Sequence, residues 1–121
     1  MFLSEDCEGY YAFRKTWVNR ITSSKKNLVL LRVTGDSMDP TIKDRDTVMI
    51  DTGRCQIREG EIYAIRADQT IMIKRLSFRL NDKIQIISDN RKEFDPYEVS
   101  VSDIHILGQV IFFSRVLITE Q

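Results

Sequence analysis

Two side chains in this sequence could together form a nucleophile and its base. Ser37 follows Gly35 by two positions at the end of an apolar run, and a glycine before a small hydroxyl residue favours a sharp bend that exposes the hydroxyl. Lys74 lies in a second apolar run, where burial would disfavour the ammonium form and lower the pKa of the amine. A neutral amine beside a serine hydroxyl is a general base, so these residues predict a Ser-Lys catalytic dyad.

Each of the two residues also has a simpler structural interpretation. The residues around Ser37 that are typical of turns are Asp36, Asp39 and Pro40. An ordinary turn serine is therefore an alternative for Ser37. Lys74 is compatible with an exposed lysine that protects the edge of a sheet. Neither local sequence indicates catalysis by itself, because short motifs of this kind recur by chance.

The segments around Ser37 and Lys74 are predicted to form short strands joined by tight turns. The alternating or apolar runs are Leu28–Thr34, Thr47–Asp51, Glu61–Ala67, Thr70–Leu80 and Lys83–Ser88. Asp68-Gln69 and Asn81-Asp82 are hairpin signals between them. Residues 89–103 are predicted to be irregular, and Gly108 predicts a bulge or bend within the apolar stretch Ile104–Ile118. Strands and helices do not alternate along this part of the sequence, as they would in a βαβ fold. The pattern therefore indicates a mainly β fold with strongly bent antiparallel sheets or a half-open barrel.

The N-terminal part of the chain differs from this β pattern. Residues 1–9 are acidic and are predicted to be a flexible lead-in to one domain over residues 10–121, since 121 residues is the usual size of a single domain. Four large apolar residues follow at helical spacing: Tyr10, Phe13, Trp17 and Ile21. They predict one N-terminal amphipathic helix that Trp17 anchors to the sheet.

The bulk composition argues against several classes of function. Lys+Arg and Asp+Glu are equal at 18 each, whereas a stand-alone nucleic-acid-binding domain usually has a basic excess. Cys7, Cys55 and His105 cannot supply a tetrahedral zinc site, so neither metal nor cofactor is expected. The cysteines are expected to be reduced thiols in a cytoplasmic protein. No apolar run has transmembrane length and the acidic N-terminus does not suit a signal peptide, so no membrane association is expected.

Four motifs follow one another along the chain: Gly35–Thr41, Asp46–Asp51, Ile73–Leu76 and Ile87–Asn90. In this order, and with Lys74 lying 37 positions after Ser37, they resemble the LexA/UmuD-type self-cleaving serine peptidase domain. The resemblance is closest to the C-terminal domain of phage-type transcriptional repressors. It extends from the segment Phe13–Trp17 to Val110, which is most of the chain.

The resemblance implies a hydrolase in which Ser37 is the nucleophile and Lys74 the general base. It places the oxyanion hole at the backbone N–H groups of Asp36 and Ser37. The family's scissile bond is typically Ala-Gly or Cys-Gly, in a segment before the helix, and neither dipeptide occurs in this sequence. The resemblance also implies a homodimer, DNA binding only through an N-terminal domain missing from this sequence, and an activated recombinase filament as the trigger of cleavage in the SOS response.

Two other functions remain open alongside the repressor. One is a UmuD-like accessory subunit of a translesion DNA polymerase, which has a short N-terminal arm and a compatible length. The other is a non-catalytic interaction module of the same fold, in which the dyad is vestigial. The sequence Phe13-Arg14-Lys15-x-Trp17 favours the repressor.

Two local features refine the comparison with the family. The family usually has glycine just before the aspartate at Asp46, where this chain has Arg45. If this position requires a positive φ, arginine there costs about 1 kcal/mol. The C-terminal stretch Ile104–Ile118 is more apolar than a chain end requires, and it is expected to be either core or a dimer interface.

Overall fold

The computed structural model describes residues 27–118 of the chain, and these residues form one antiparallel sheet of seven strands. In chain order the strands are β1 (Leu28–Arg32), β2 (Thr47–Asp51), β3 (Ile62–Ala67), β4 (Thr70–Arg79), β5 (Lys83–Ile87), β6 (Tyr97–Ser100) and β7 (His105–Ser114). Their order across the sheet is β1-β2-β7-β3-β4-β5-β6. The predicted mainly β fold of antiparallel strands is confirmed, and because β1 and β6 are both end strands, the sheet is not closed.

The predicted strands agree with the observed ones except in the segment 89–103. That segment was predicted to be irregular, but it contains β6 and a short 3₁₀ turn, Val101–Asp103. β6 has only four residues and two of them are exposed, so it lacks the apolar alternation by which strands are recognised. Its pairing with β5 defines it instead. The predicted lead-in, the N-terminal helix and its anchor Trp17 lie outside the described residues.

Both hairpin turns that flank β4 adopt the backbone conformation that their residues favour. Asp68 has φ 55°, and Asn81 and Asp82 have φ 62° and 56°. Asparagine and aspartate tolerate the left-handed region better than other residues with a β-carbon. Two successive residues with positive φ are the pattern of a two-residue hairpin turn that matches strand twist. These turns set the register of β4, and so the position of Lys74.

Both faces of the central strands are buried. One apolar cluster centres on Met38, Ile42, Val48, Ile50 and Ala64, and the other on Tyr63, Ile65, Leu76, Ile84 and Ile86. In β3, Ile62 and Ala64 pack in the first cluster, while Tyr63 and Ile65 belong to the second. Successive side chains of a strand point to opposite faces, so the two clusters lie on opposite sides of the sheet.

The long strand β7 carries two bulges. Its pairing skips Leu107 on the side of β3 and Ile111 on the side of β2. Gly108 lies between them, where a β-carbon would stand 2.5 Å from the backbone oxygen of Asp51. The predicted irregularity at Gly108 is therefore confirmed, and the close approach of β2 explains why a residue without a β-carbon occupies this position. Within residues 27–118 no helix is long and apolar enough to cross a membrane.

Arg45 has φ 74°, so the condition for a strained arginine at this position is met. Arg45→Gly is expected to be about 1 kcal/mol more stable than Arg45→Ala, because a β-carbon is unfavourable in the left-handed region and glycine's freedom in the unfolded chain offsets only part of this gain. Urea unfolding of both variants measures the difference. The two variants lose the same guanidinium group, so its contacts cancel. An alanine variant as stable as the glycine variant would contradict this explanation.

Candidate active site

A cleft of about 290 Å³ lies between β1, the turn that follows it, and β4. Ser37 and Met38 line it on the side of the turn, and Lys74 lines it on β4. The remaining lining residues are Leu31, Arg32, Val33, Thr34, Ile71, Met72 and Ile73. The structure thus brings the two predicted site residues, which are 37 positions apart in sequence, to one cleft with largely apolar walls.

The turn that carries Ser37 is held at both ends. Gly35 has φ 89°, a conformation that few residues other than glycine adopt readily, and its N–H donates to Asp44 Oδ1 at 2.7 Å. Met38 is only 2% exposed and packs in the first apolar cluster. Its carbonyl accepts a hydrogen bond from the N–H of Ile42 at 3.0 Å. Burial of Met38 fixes the turn, while its neighbour Ser37 stays at the wall of the cleft.

Lys74 is buried in the middle of β4, as its apolar neighbours predicted, with 7% of the residue exposed. Desolvation by this burial lowers the pKa of the Lys74 amine. In the described part of the chain, Nζ donates a hydrogen bond to Ser88 Oγ at 2.7 Å and not to Ser37. Nζ also lies over the ring of Phe94, 5.3 Å from its centroid. The Lys74 amine therefore loses its proton at a lower pH than the amine of an exposed lysine.

The segment Ser88-Asp89-Asn90 connects the strand of Lys74 to the turn of Ser37. Asp89 binds both Nε and Nη2 of Arg75, at 2.9 and 2.8 Å, and accepts a hydrogen bond from Thr41 Oγ1 at 2.6 Å. The backbone N–H of Asn90 donates to the carbonyl of Ser37 at 3.0 Å. The sequence pointed to this segment as a motif but assigned no role to its residues. The sequence signal that could have indicated a role for this segment is the change from an apolar strand to three consecutive polar residues.

The predicted oxyanion-hole groups lie in the same turn. The side-chain amide of Asn90 donates to the carbonyl of Asp36 at 3.2 Å. In a trans peptide the carbonyl and the N–H point in opposite directions, so this bond also fixes the direction of the Ser37 N–H. Among residues 27–118, no acceptor is bonded to the N–H groups of Asp36 and Ser37.

Two carboxylates around the site are held by bidentate ion pairs. Arg115 donates to both oxygens of the fully buried Asp46, at 2.8 and 2.7 Å, and these hydrogen bonds lower the pKa of Asp46. The hydrogen bonds from Arg75 lower the pKa of Asp89 in the same way. Neither pair is predictable from local sequence, because each joins residues that are distant along the chain.

These pairs predict acid-sensitive stability. A carboxyl group with a lowered pKa in the folded state stabilises the fold above its unfolded pKa of about 3.9, and this stabilisation is lost as the pH falls through the folded-state value. The free energy of unfolding should therefore fall progressively as the pH drops below about 5. Urea unfolding at a series of pH values measures this decline. Asp89→Asn should flatten it, whereas the exposed Asp95→Asn control should keep the wild-type slope, and equal slopes for the two variants would contradict the assignment.

Comparison with known proteins agrees with the resemblance found in the motifs. The family model described as Peptidase S24-like matches residues 1–111. The chain is 35% identical to Repressor protein CI of Enterobacteria phage phi80 over 113 residues, which cover 91% of this chain and 48% of that protein. It is 38% identical to LexA repressor 1 of Xanthomonas oryzae pv. oryzae over 96 residues, or 78% of this chain and 47% of that protein.

A third relative is the HTH-type transcriptional regulator PrtR of Pseudomonas aeruginosa, which is 33% identical over 93 residues, or 73% of this chain and 36% of that regulator. The chain thus spans about half the length of the curated relatives it matches, or less. The match to the family model includes both walls of the cleft, with the turn of Ser37 and the strand of Lys74. The chain belongs to the Peptidase S24-like family.

Proposed function

We propose that this chain is the autoproteolysis and dimerisation domain of a phage-type transcriptional repressor. In this proposal Ser37 is the nucleophile and Lys74 its general base. The observation that carries it is the placement of both side chains on one cleft, where Lys74 is buried and its pKa is lowered by desolvation. A base with a lowered pKa beside a hydroxyl is what a serine nucleophile without histidine requires.

The proposed reaction is the hydrolysis of a peptide bond. The neutral amine of Lys74 accepts the hydroxyl proton of Ser37, and Oγ attacks the carbonyl carbon of the scissile bond. The N–H groups of Asp36 and Ser37 stabilise the oxyanion of the tetrahedral intermediate. The Lys74 ammonium then gives its proton to the leaving amine as the C–N bond breaks. Water hydrolyses the resulting acyl-enzyme with Lys74 again acting as the base.

The peptide bond that is cleaved belongs, in this proposal, to a linker outside the present sequence. Support comes from the relatives, two of which are named as repressors and one as an HTH-type transcriptional regulator. The chain has no net charge, which agrees with DNA recognition by another part of a longer protein. An activated recombinase filament would then act as the trigger that promotes cleavage.

Cleavage supplied in trans tests the proposal. The purified chain is incubated with a synthetic peptide that carries an Ala-Gly or a Cys-Gly bond, and the products are identified by mass spectrometry. We expect hydrolysis at that bond by the wild-type chain and none by Ser37→Ala, because the variant lacks the nucleophile. Cleavage by Ser37→Ala at the wild-type rate would refute the role of Ser37.

Self-association is the second part of the proposed function. The C-terminal residues Val116, Leu117 and Ile118 are 53%, 91% and 79% exposed, an apolar surface of the kind that marks interfaces. We expect a dimer at micromolar concentration in sedimentation equilibrium, and a monomer after Leu117→Glu places a charge in that surface. Leu80→Glu is the matched control, since Leu80 is 85% exposed on the β4–β5 hairpin. A wild-type chain that stays monomeric up to high micromolar concentration would contradict this part.

A further inference from the structure

We propose that Ser88 and Asn90 are positioning residues that set the two halves of the dyad, Ser88 by orienting the amine of Lys74 and Asn90 by fixing the turn of Ser37. This inference rests on the proposed peptidase function. Both residues would act through Lys74 and Ser37, and one short segment, Ser88-Asp89-Asn90, would therefore determine the geometry of the dyad.

Ser88 is well placed to direct the amine of Lys74. It is 4% exposed and follows directly after β5, whose Ile87 pairs with Arg75, so the backbone at Ser88 is fixed relative to β4. A neutral amine has two N–H donors and one lone pair. When one N–H is held by Ser88 Oγ at 2.7 Å, the amine can no longer rotate freely, and its lone pair remains available for the proton of Ser37.

Asn90 acts on the other half of the dyad. Its backbone N–H binds the carbonyl of Ser37, and its side-chain amide binds the carbonyl of Asp36. Between the two positioning residues, Asp89 is held by Arg75 of β4 and by Thr41, which follows the turn. Three consecutive residues therefore connect strand and turn. Because a displacement of about 1 Å can cost about 10²-fold in rate, loss of either positioning contact should reduce catalysis without removing a reacting group.

The Ser88 hydroxyl should also affect the protonation of Lys74. A hydrogen bond to the charged ammonium is stronger than one to the neutral amine, so the hydroxyl favours the charged form. Its removal should lower the pKa of Lys74 below the value in the wild-type chain. The ionisable residues on the elements around the amine include Arg32 on β1, Tyr63 and Arg66 on β3, Asp36 and Asp39 in the turn, the pair Arg75 and Asp89, and Arg91, Lys92 and Glu93 near Phe94. Ser88→Ala leaves all of them in place.

Titration of Lys74 tests the role of Ser88 without any need for activity. With ¹³C-labelled lysine, the pKa of the Lys74 amine is followed by NMR, and Lys74→Arg identifies its resonance. We expect a lower pKa in Ser88→Ala and a return toward the wild-type value in Ser88→Thr, which restores a hydroxyl. Ser77→Ala is the matched control, since Ser77 is also buried but donates its hydrogen bond to Glu59. An unchanged pKa in Ser88→Ala would overturn the role of Ser88, and Ser88→Cys provides the same comparison if the alanine variant does not fold.

The kinetics of peptide cleavage in trans then distinguish the role of Ser88 from that of Asn90. Ser88→Ala is expected to lower kcat by about 10- to 10²-fold with little change in KM, and to move the pH–rate midpoint to lower pH. Asn90→Ala should lower kcat similarly without moving that midpoint, because its contacts are with the serine turn. Ser77→Ala should retain wild-type kinetics.

The outcomes distinguish this inference from the function on which it rests. If Ser37→Ala cleaves as fast as the wild type, the proposed peptidase mechanism fails. If Ser37→Ala is inactive but Ser88→Ala and Asn90→Ala keep the wild-type kcat, only the positioning roles fail. A fall in kcat for Ser88→Ala that Ser88→Thr does not reverse, with no shift in the pH–rate midpoint, would show a purely structural effect and would also overturn the role of Ser88.

Discussion

Replacing Lys74 with arginine is expected to lower the rate of peptide cleavage by at least about 10³-fold, because removal of one member of a catalytic unit costs this much or more. Arginine is an unbranched basic residue like lysine, but its side chain is longer and stays positively charged. Its guanidinium group does not deprotonate in proteins, so it cannot accept the proton of Ser37. The measurement is the rate of peptide cleavage in trans, followed by mass spectrometry, for the wild type and the variant.

The pH dependence of cleavage gives this experiment its control. The rate of the wild-type chain should rise with pH as Lys74 loses its proton, with a midpoint below the usual lysine pKa of about 10.4, since burial lowers the pKa of this amine. Lys74→Ala should be inactive as well but remain folded, as shown by circular dichroism. A Lys74→Arg variant that cleaves at the wild-type rate would show that the dyad assignment is wrong and that Ser37 is a turn residue only.

Truncation of Tyr63 is expected to destabilise the domain by about 3–5 kcal/mol, the usual cost of removing a fully buried aromatic ring. Tyr63 has no exposed surface, belongs to the second apolar cluster, and stands opposite Lys74 in the pairing of β3 with β4. The ring therefore supports the strand that presents the amine. Urea unfolding of Tyr63→Ala measures the loss, which would be a large part of the roughly 5–15 kcal/mol that stabilises a typical domain.

Tyr63→Phe separates the ring from its hydroxyl. The hydroxyl accepts a hydrogen bond from the N–H of Arg58 at 2.8 Å and donates one to the carbonyl of Gln56 at 3.1 Å. Both of these residues are exposed, so water can replace the lost partner and the expected cost is only about 1 kcal/mol. A phenylalanine variant as unstable as Tyr63→Ala would show that the hydroxyl, and not the ring, maintains this part of the fold.

Fold stability and the proposed chemistry favour different residues at position 74 of β4. Leu76 and Lys74 are both buried on this strand, but Leu76 packs in an apolar cluster, whereas the lysine amine is held by Ser88 and lies near Phe94. An apolar residue at position 74 would avoid the cost of burying an ionisable group. The proposed mechanism explains why a lysine stands there, since the same desolvation lowers the pKa of the base.

Short-range sequence patterns were sufficient to predict the local features of this protein. Alternation and turn chemistry located the five strands from β1 to β5, because side-chain period and turn residues act over a few positions. Gly108 predicted the irregularity in β7. The apolar neighbours of Lys74 predicted its burial. Residue chemistry together with motif order and spacing predicted Ser37 and Lys74 as a catalytic pair.

Contacts between residues that are distant along the chain depend on the tertiary structure. β6 is recognised from its pairing with β5, since its own residues show no strand pattern. Ser88 bonds to Lys74 because the register of β4 with β5 sets them side by side, and Asp46 pairs with Arg115, 69 positions away, because β2 lies beside β7. Such contacts depend on register, and a shift of one residue would turn every side chain to the other face. The identity of a residue fixes what it can bind, but the sheet as a whole determines its partner.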